Sequence, residues 1–235
     1  MVLLLHEEIA PSIKFTFRTL TAKLLLVCAL TLCDVAPLLA DEPAGPNGAP
    51  ADQATGAVPS PSNWRVGFSV GALTHESLDG LLYQIEIPSF HSSYLAELNG
   101  VYTLHRFQVL PMDLEVQGEV ARRFGMDHQS EVDLISVVRW KMFPWNDKLY
   151  TNFRFGFLGG SYVSSISPWE KQDSGNNTGS KFLQLLIGEF TFSPSENANY
   201  EGFIGLHHRS GIFGLISGVT GGSNYFMVGM RFRGD

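Results

Sequence analysis

The sequence predicts an all-β protein, an eight-stranded antiparallel up-and-down transmembrane β-barrel over residues 63–235. Three observations lead there. From Trp64 onward, apolar residues alternate with polar and charged ones at period two, the strand period, and not at 3.6. The alternating runs are roughly ten to twelve residues long, enough for a tilted strand to cross a bilayer. Aromatic residues gather at the ends of the runs (Trp64, Trp140, Phe143, Trp145, Tyr150, Phe232), where interfacial girdles sit. A water-soluble sandwich or lipocalin-like barrel would turn the apolar face inward. A membrane barrel turns it to lipid and keeps a polar interior. Run length and aromatic ends favour the membrane form, and closure removes the open sheet edges that a bilayer cannot tolerate.

The runs follow in order. In the first, Trp64, Val66, Phe68, Val70 and Ala72 oppose Arg65, Gly67, Ser69 and Gly71. The second carries Tyr94, Leu98, Tyr102 and Leu104 against Glu97, Asn99 and Thr103. In the third, Leu114, Val116, Gly118 and Val120 alternate with Asp113, Glu115, Gln117, Glu119 and Ala121. In the fourth, Val132, Leu134, Val138 and Trp140 alternate with Glu131, Asp133, Arg139 and Lys141. The fifth sets Phe153, Phe155 and Phe157 against Asn152, Arg154 and Gly156. The sixth, Lys181 to Ser193, is less regular, although Phe190 and Phe192 oppose Glu189 and Thr191. The seventh is Phe203 to Ser210. The eighth sets Asn224, Phe226, Val228, Met230 and Phe232 against Tyr225, Met227, Gly229, Arg231 and Arg233.

Residues 1–40 read as a signal peptide. Lys14, Arg18 and Lys23 precede the apolar stretch Leu24–Leu32, which at about ten residues is too short to span a bilayer. Ala40 is the expected cleavage position. Cys28 and Cys33 both fall inside this segment, so the mature chain is expected to hold no thiol, disulfide or cysteine-based metal site. Residues 41–62 are rich in Pro, Ala and Gly, show no periodicity and read as a flexible lead-in. With 235 residues the chain can form one sizeable domain. Its net charge of -7 gives no basic footprint, so no nucleic-acid partner is expected. A mean hydropathy of +0.05 is high for a chain without a long apolar helix.

The connections orient the barrel, because bacterial barrels have short periplasmic turns and longer external loops. External connections are expected at Glu76 to His91, Met126 to Ser130, Val163 to Ser180 and Gly211 to Gly222. Periplasmic turns are expected at Arg106 to Pro111, Pro144 to Leu149 and Pro194 to Asn199. This places the chain in a bacterial outer membrane, whose outer leaflet is lipopolysaccharide.

The seventh run ends in the most informative feature of the sequence. His208 and Ser210 lie two apart and so share a strand face with Gly202, Ile204 and Leu206. That is the spacing a hydroxyl nucleophile and its base need. A polar pair closing an apolar, lipid-directed face is costly unless the face has a task. Across the last external loop, parity makes Asn224 the first lipid-facing residue of the eighth run and turns Ser223 to the lumen. His207 and Arg209 point inward, toward a lumen network expected to include Glu201 and Glu189. Gly221 and Gly222 read as turn geometry, and backbone N–H groups near Gly211 are candidates for an oxyanion hole. Asn176-Asn177-Thr178-Gly179 reads as ordinary external loop. Asp127-His128 has no third partner, so no metal site is assigned, and no cofactor is expected.

The stretch Leu206-His207-His208-Arg209-Ser210-Gly211-Ile212-Phe213-Gly214 through Gly221-Gly222-Ser223-Asn224-Tyr225 resembles the lipid A 3-O-deacylases of the PagL type. The resemblance implies an outer-membrane esterase with a Ser-His-Glu triad that removes an ester-linked acyl chain from lipid A. Ser210 would be nucleophile and His208 base, with outer-leaflet lipopolysaccharide and membrane lipids as partners. One departure stands out. No Asp or Glu lies between Ser210 and Asp235. Asn224 is the substitute, since an amide can orient a neutral imidazole, although it stabilises the imidazolium less than a carboxylate. The alternative is a non-enzymatic small barrel, either structural or a minor channel, because a fold does not carry a function. The oligomeric state stays open, a homodimer included.

Overall fold

A computed structural model of the chain describes residues 62–78, 80–81 and 88–234. The signal peptide expected over 1–40 and the lead-in ahead of residue 62 lie outside the described residues. The strands are β1 (Trp64–Thr74), β2 (Phe90–Arg106), β3 (Met112–Gly125), β4 (Ser130–Trp140), β5 (Tyr150–Val163), β6 (Phe182–Ser193), β7 (Tyr200–Ser210) and β8 (Gly222–Arg233). Each pairs antiparallel with its chain neighbour, and β8 returns to β1 to close the barrel. The closing seam runs from Arg65↔Arg233 to Leu73↔Tyr225.

The alternation predicted from the sequence is the alternation of the wall. Val66, Phe68, Val70, Leu98, Val120, Leu134, Phe190, Val228 and Phe232 are exposed on the outside. Arg123, Arg139, Arg154, Arg209 and Arg231 are fully buried inside. That inversion of a soluble protein is the build of an outer-membrane barrel, apolar toward lipid and polar within. Among the described residues no helix is long and apolar enough to cross a membrane; the strands make the crossing.

The lumen is packed, as expected for eight strands. Toward the chain ends, Arg139 donates to both Glu201 oxygens at 2.8 and 3.0 Å and to Glu115 at 2.7 Å. Arg154 donates to Glu115 at 2.8 Å and to Glu189, which also accepts from Arg231 at 2.8 Å. Isolated buried charges would be expensive; here each guanidinium meets a carboxylate. The interior is not uniformly polar. Ile135, Val137, Leu185 and Ile187 form one buried cluster. Leu73, Leu95, Ala121, Tyr225 and Met227 form a second, with Trp169 against it. These inward apolar residues explain why β6 alternates weakly in sequence. Leu183, Leu185 and Ile187 face the lumen, so both faces of that strand are apolar.

The long connections lie at the end opposite Trp64 and Arg233. The third one folds a short helix, α1 (Pro168–Asp173), where the sequence reading expected only loop. Its start has a local cause. Ser167 caps it by accepting from the Glu170 N–H at 3.2 Å, and Pro168 occupies the first turn, where its missing N–H costs nothing. Glu170 is completely buried and joins three partners. Arg123 donates to it at 3.1 Å, Ser223 at 2.8 Å, and Arg209 also donates to it. The helix is thereby tied into the external end of the lumen.

Candidate functional site

β7 and β8 place His208 directly opposite Asn224 in the ladder, on the outward face at the external end. His208 Nδ1 and Asn224 Oδ1 are 2.6 Å apart. The hydrogen-bond network decides which atom donates. Asn224 Nδ2 donates to the Glu76 backbone carbonyl at 2.9 Å. A carbonyl can only accept, so the amide oxygen must be the atom facing the ring. His208 Nδ1 therefore carries the proton, and in the neutral ring Nε2 keeps its lone pair. That is the tautomer a general base at Nε2 requires.

Glu76 is itself held. Its carboxylate accepts from the Ser89 N–H at 3.0 and 3.1 Å and from the Ser89 hydroxyl at 2.6 Å. The hydroxyl bond is the main reason its carboxyl sits below the usual range. The His75 N–H donates to the Ser89 carbonyl at 3.0 Å, which pins the base of the first external loop. A chain of contacts thus runs from Ser89 through Glu76 and Asn224 to the His208 ring.

Ser210 lies two residues beyond His208 on the same outward face, paired with Gly222. The structure gives it no hydrogen bond to His208. Gly222 permits the close strand approach here, since a Cβ would stand 2.4 Å from the Arg209 carbonyl and 3.0 Å from Ser210 Cβ. The Gly222 N–H is taken by Asp173 at 2.8 Å, from the end of α1. Gly211 follows Ser210, and a Cβ there would meet the Val219 carbonyl at 2.1 Å, so only glycine fits. Its carbonyl accepts from the Ile216 N–H at 2.9 Å. The loop beyond is strained. Ile212, Phe213 and Ser217 have φ of 49°, 55° and 54°, a region that disfavours side chains by about 1–2 kcal/mol per residue. Contacts from the third external loop hold it: Asn176 Nδ2 donates to the Gly218 carbonyl at 2.8 Å, and Ser180 and Ser217 bond at 3.1 Å. Non-glycine residues kept in this conformation beside a candidate nucleophile fit the general clustering of strain at functional sites.

The inner face of β7 differs from the expected partners. His207 and Arg209 are buried in the lumen as parity requires, but they do not meet Glu201 or Glu189. His207 Nε2 lies 3.2 Å from Glu131, and Arg209 binds Glu170 and donates to Ser161 at 3.0 Å. The reason is height. Glu201 and Glu189 lie nearer the chain-end side, where Arg139, Arg154 and Arg231 claim them. Ser223 faces the lumen as expected. Asp127 accepts from Ser167 at 2.8 Å and lies 3.6 Å from Arg123, which occupies it in packing.

No family model matches the chain, and no curated protein matches it. Solved structures do. The outer membrane enzyme PagL is similar over 72% of this chain and 98% of its own, at 13% identity and a TM-score of 0.50. The likeness is one of fold. Neisserial surface protein A (12% identity, TM-score 0.41, 74% of this chain and 99% of that one) resembles it more loosely. So does the N-terminal β-barrel domain of Pseudomonas aeruginosa OprF (10% identity, TM-score 0.41, 74% and 98%). What the chain shares with PagL is the closed eight-stranded barrel, and its chemistry has to be argued from its own residues.

Two contributors escaped the sequence reading. Glu76 acts through its backbone carbonyl, which leaves no mark in residue type. The helix α1 did leave one, in Ser167-Pro168-Trp169-Glu170: a capping Ser, a first-turn Pro and an acidic third position.

Proposed function

We propose that the chain is an outer-membrane esterase that removes an ester-linked acyl chain from lipid A. The observation that carries the reading is the 2.6 Å contact between His208 Nδ1 and Asn224 Oδ1, with the amide fixed by Glu76. A protein seldom directs a polar, oriented imidazole to the lipid side of a barrel without use for it. In this reading His208 Nε2 takes the proton of Ser210 as Oγ attacks the acyl carbonyl. The oxyanion is held by backbone N–H groups near Gly211. The tetrahedral intermediate collapses as the proton passes from His208 to the departing sugar oxygen. Water, deprotonated by the same nitrogen, then hydrolyses the acyl–Ser210 ester and frees the fatty acid. No cofactor enters.

Asn224 in place of a carboxylate lowers the expected turnover but leaves the orientation intact. In this reading the Ser210–His208 hydrogen bond forms in the substrate complex, since catalytic hydrogen bonds are often long before that complex forms. The packed, ion-paired lumen counts against a channel as the alternative role. The test is mass spectrometry of lipid A from cells with the gene, without it, and with Ser210→Ala. Loss of one hydroxyacyl chain only with the intact gene supports the esterase. Identical lipid A in all three leaves the non-enzymatic barrel.

A further inference from the structure

At mid-height the lumen holds a group of ionisable side chains that the ester chemistry does not use. Glu97 on β2, Glu119 on β3 and His207 on β7 bring one ligand atom each within 4.8 Å of one another. All three are buried. The arginines are gathered toward the two ends of the lumen, and among the described residues Glu97, Glu119 and the neighbouring Asp133 have no Lys or Arg ion-pair partner. Two atoms face each other unsatisfied. His207 Nδ1 and Glu119 Oε2 are 3.6 Å apart, too far for a hydrogen bond, and neither has another partner. Both oxygens of Asp133 are also without a partner, although only 3% of the residue is exposed.

The surroundings are those of a ligand set. Glu97 Oε1 accepts from Asn99 at 2.8 Å and Glu119 Oε1 from Gln117 at 2.5 Å, which orients each carboxylate and leaves its second oxygen free. His207 Nε2 lies 3.2 Å from Glu131 Oε1, and Glu131 is anchored by Arg123 at 2.7 Å and Ser161 at 2.7 Å. A ring nitrogen bound to a carboxylate while the other nitrogen points at further carboxylates is the usual support of a histidine metal ligand. Two ligands on a tetrahedral zinc at about 2.0–2.1 Å stand roughly 3.4 Å apart, close to the observed 3.6 Å.

We propose that Glu97, Glu119 and His207 Nδ1 bind a divalent metal ion in the lumen, with Zn²⁺ the best match to one imidazole and two carboxylates. The ion supplies the positive charge that, among the described residues, no arginine brings to these carboxyl groups. It also joins β2 and β3 to β7 across the lumen, holding the strand that carries His208 on its opposite face. The proposal does not depend on ester hydrolysis.

The test uses the full folded barrel in detergent, stripped with a chelator, incubated with Zn²⁺, dialysed and analysed for metal by mass spectrometry. Wild type is expected to keep about one ion per barrel. Glu97→Gln and Glu119→Gln should each lower affinity by tenfold or more, and Glu131→Gln, which loosens the His207 support, by about 10–100-fold. Asp133→Asn should still bind. Heat-modified gel migration checks that every variant is folded. No metal on folded wild type, or equal metal on wild type and Glu119→Gln, overturns the proposal. Binding lost in Asp133→Asn but kept in Glu97→Gln overturns this ligand set in favour of Glu131, Asp133 and His207 Nε2.

Discussion

Asn224→Ala isolates the residue on which the proposed chemistry turns. The substitution deletes two bonds, one from His208 and one to the Glu76 carbonyl. The first becomes charge-assisted when the ring takes the Ser210 proton, and such bonds contribute about 1.5–3 kcal/mol. At about 1.4 kcal/mol per decade, its loss should slow deacylation by about 10–150-fold. The second is a neutral bond at the closing seam and should cost about 0.5–1.5 kcal/mol of stability. Asn224→Glu can still accept from the ring and stabilises the imidazolium better, so turnover should hold or rise. The penalty for a carboxylate near the interface is modest, about 0–1 kcal/mol, and the variant loses the donor to Glu76. The assay is release of hydroxyacyl chains from lipid A in mixed micelles, with heat-modified migration as the folding control. A folded Asn224→Ala barrel with the wild-type rate refutes the orienting role, and the third member must then be sought elsewhere.

Four further outcomes are expected. Ser210→Ala and His208→Ala should each abolish deacylation with the heat-modified band intact; Ser223→Ala, directed inward, should keep activity, and the reverse pattern would mean a strand register one residue off. Glu170→Ala leaves Arg209 with only the more distant Glu131 carboxylate, at 4.0 Å, and removes one of the carboxylates on Arg123, so urea unfolding should show a loss of about 3–5 kcal/mol; an unchanged midpoint would mean the buried network is not stabilising. Gly211→Ala forces the backbone near Val219 to move, and should reduce turnover in a barrel that still folds, as gel migration and rate measurements would show. Unboiled and boiled wild type should migrate differently, with β-type circular dichroism.

The wall of the barrel was legible in the sequence because lipid on one side and buried ion pairs on the other enforce period two. Where that contrast fades, so did the reading. Leu183, Leu185 and Ile187 are apolar inside and Phe182, Leu186 and Phe190 apolar outside, which erases the alternation in β6. His208, Ser210 and Asn224 could be placed on one face by parity, since the ladder sets His208 opposite Asn224. Glu76 could not, because a backbone carbonyl reaches Asn224 only through the path of a loop. The cluster of Glu97, Glu119 and His207 was equally hidden. Each residue read correctly as inward, but their shared height depends on the stagger of three strands around a closed cylinder.

The bond between Glu76 and Asn224 joins residues 148 apart in sequence and spans the seam between the first strand and the last. It forms only when the cylinder shuts. Before then, Asn224 can still meet His208 across the β7–β8 hairpin, but nothing fixes which end of its amide faces the ring. In the proposed reading, closure of the barrel therefore completes the anchor that holds the amide oxygen toward the ring.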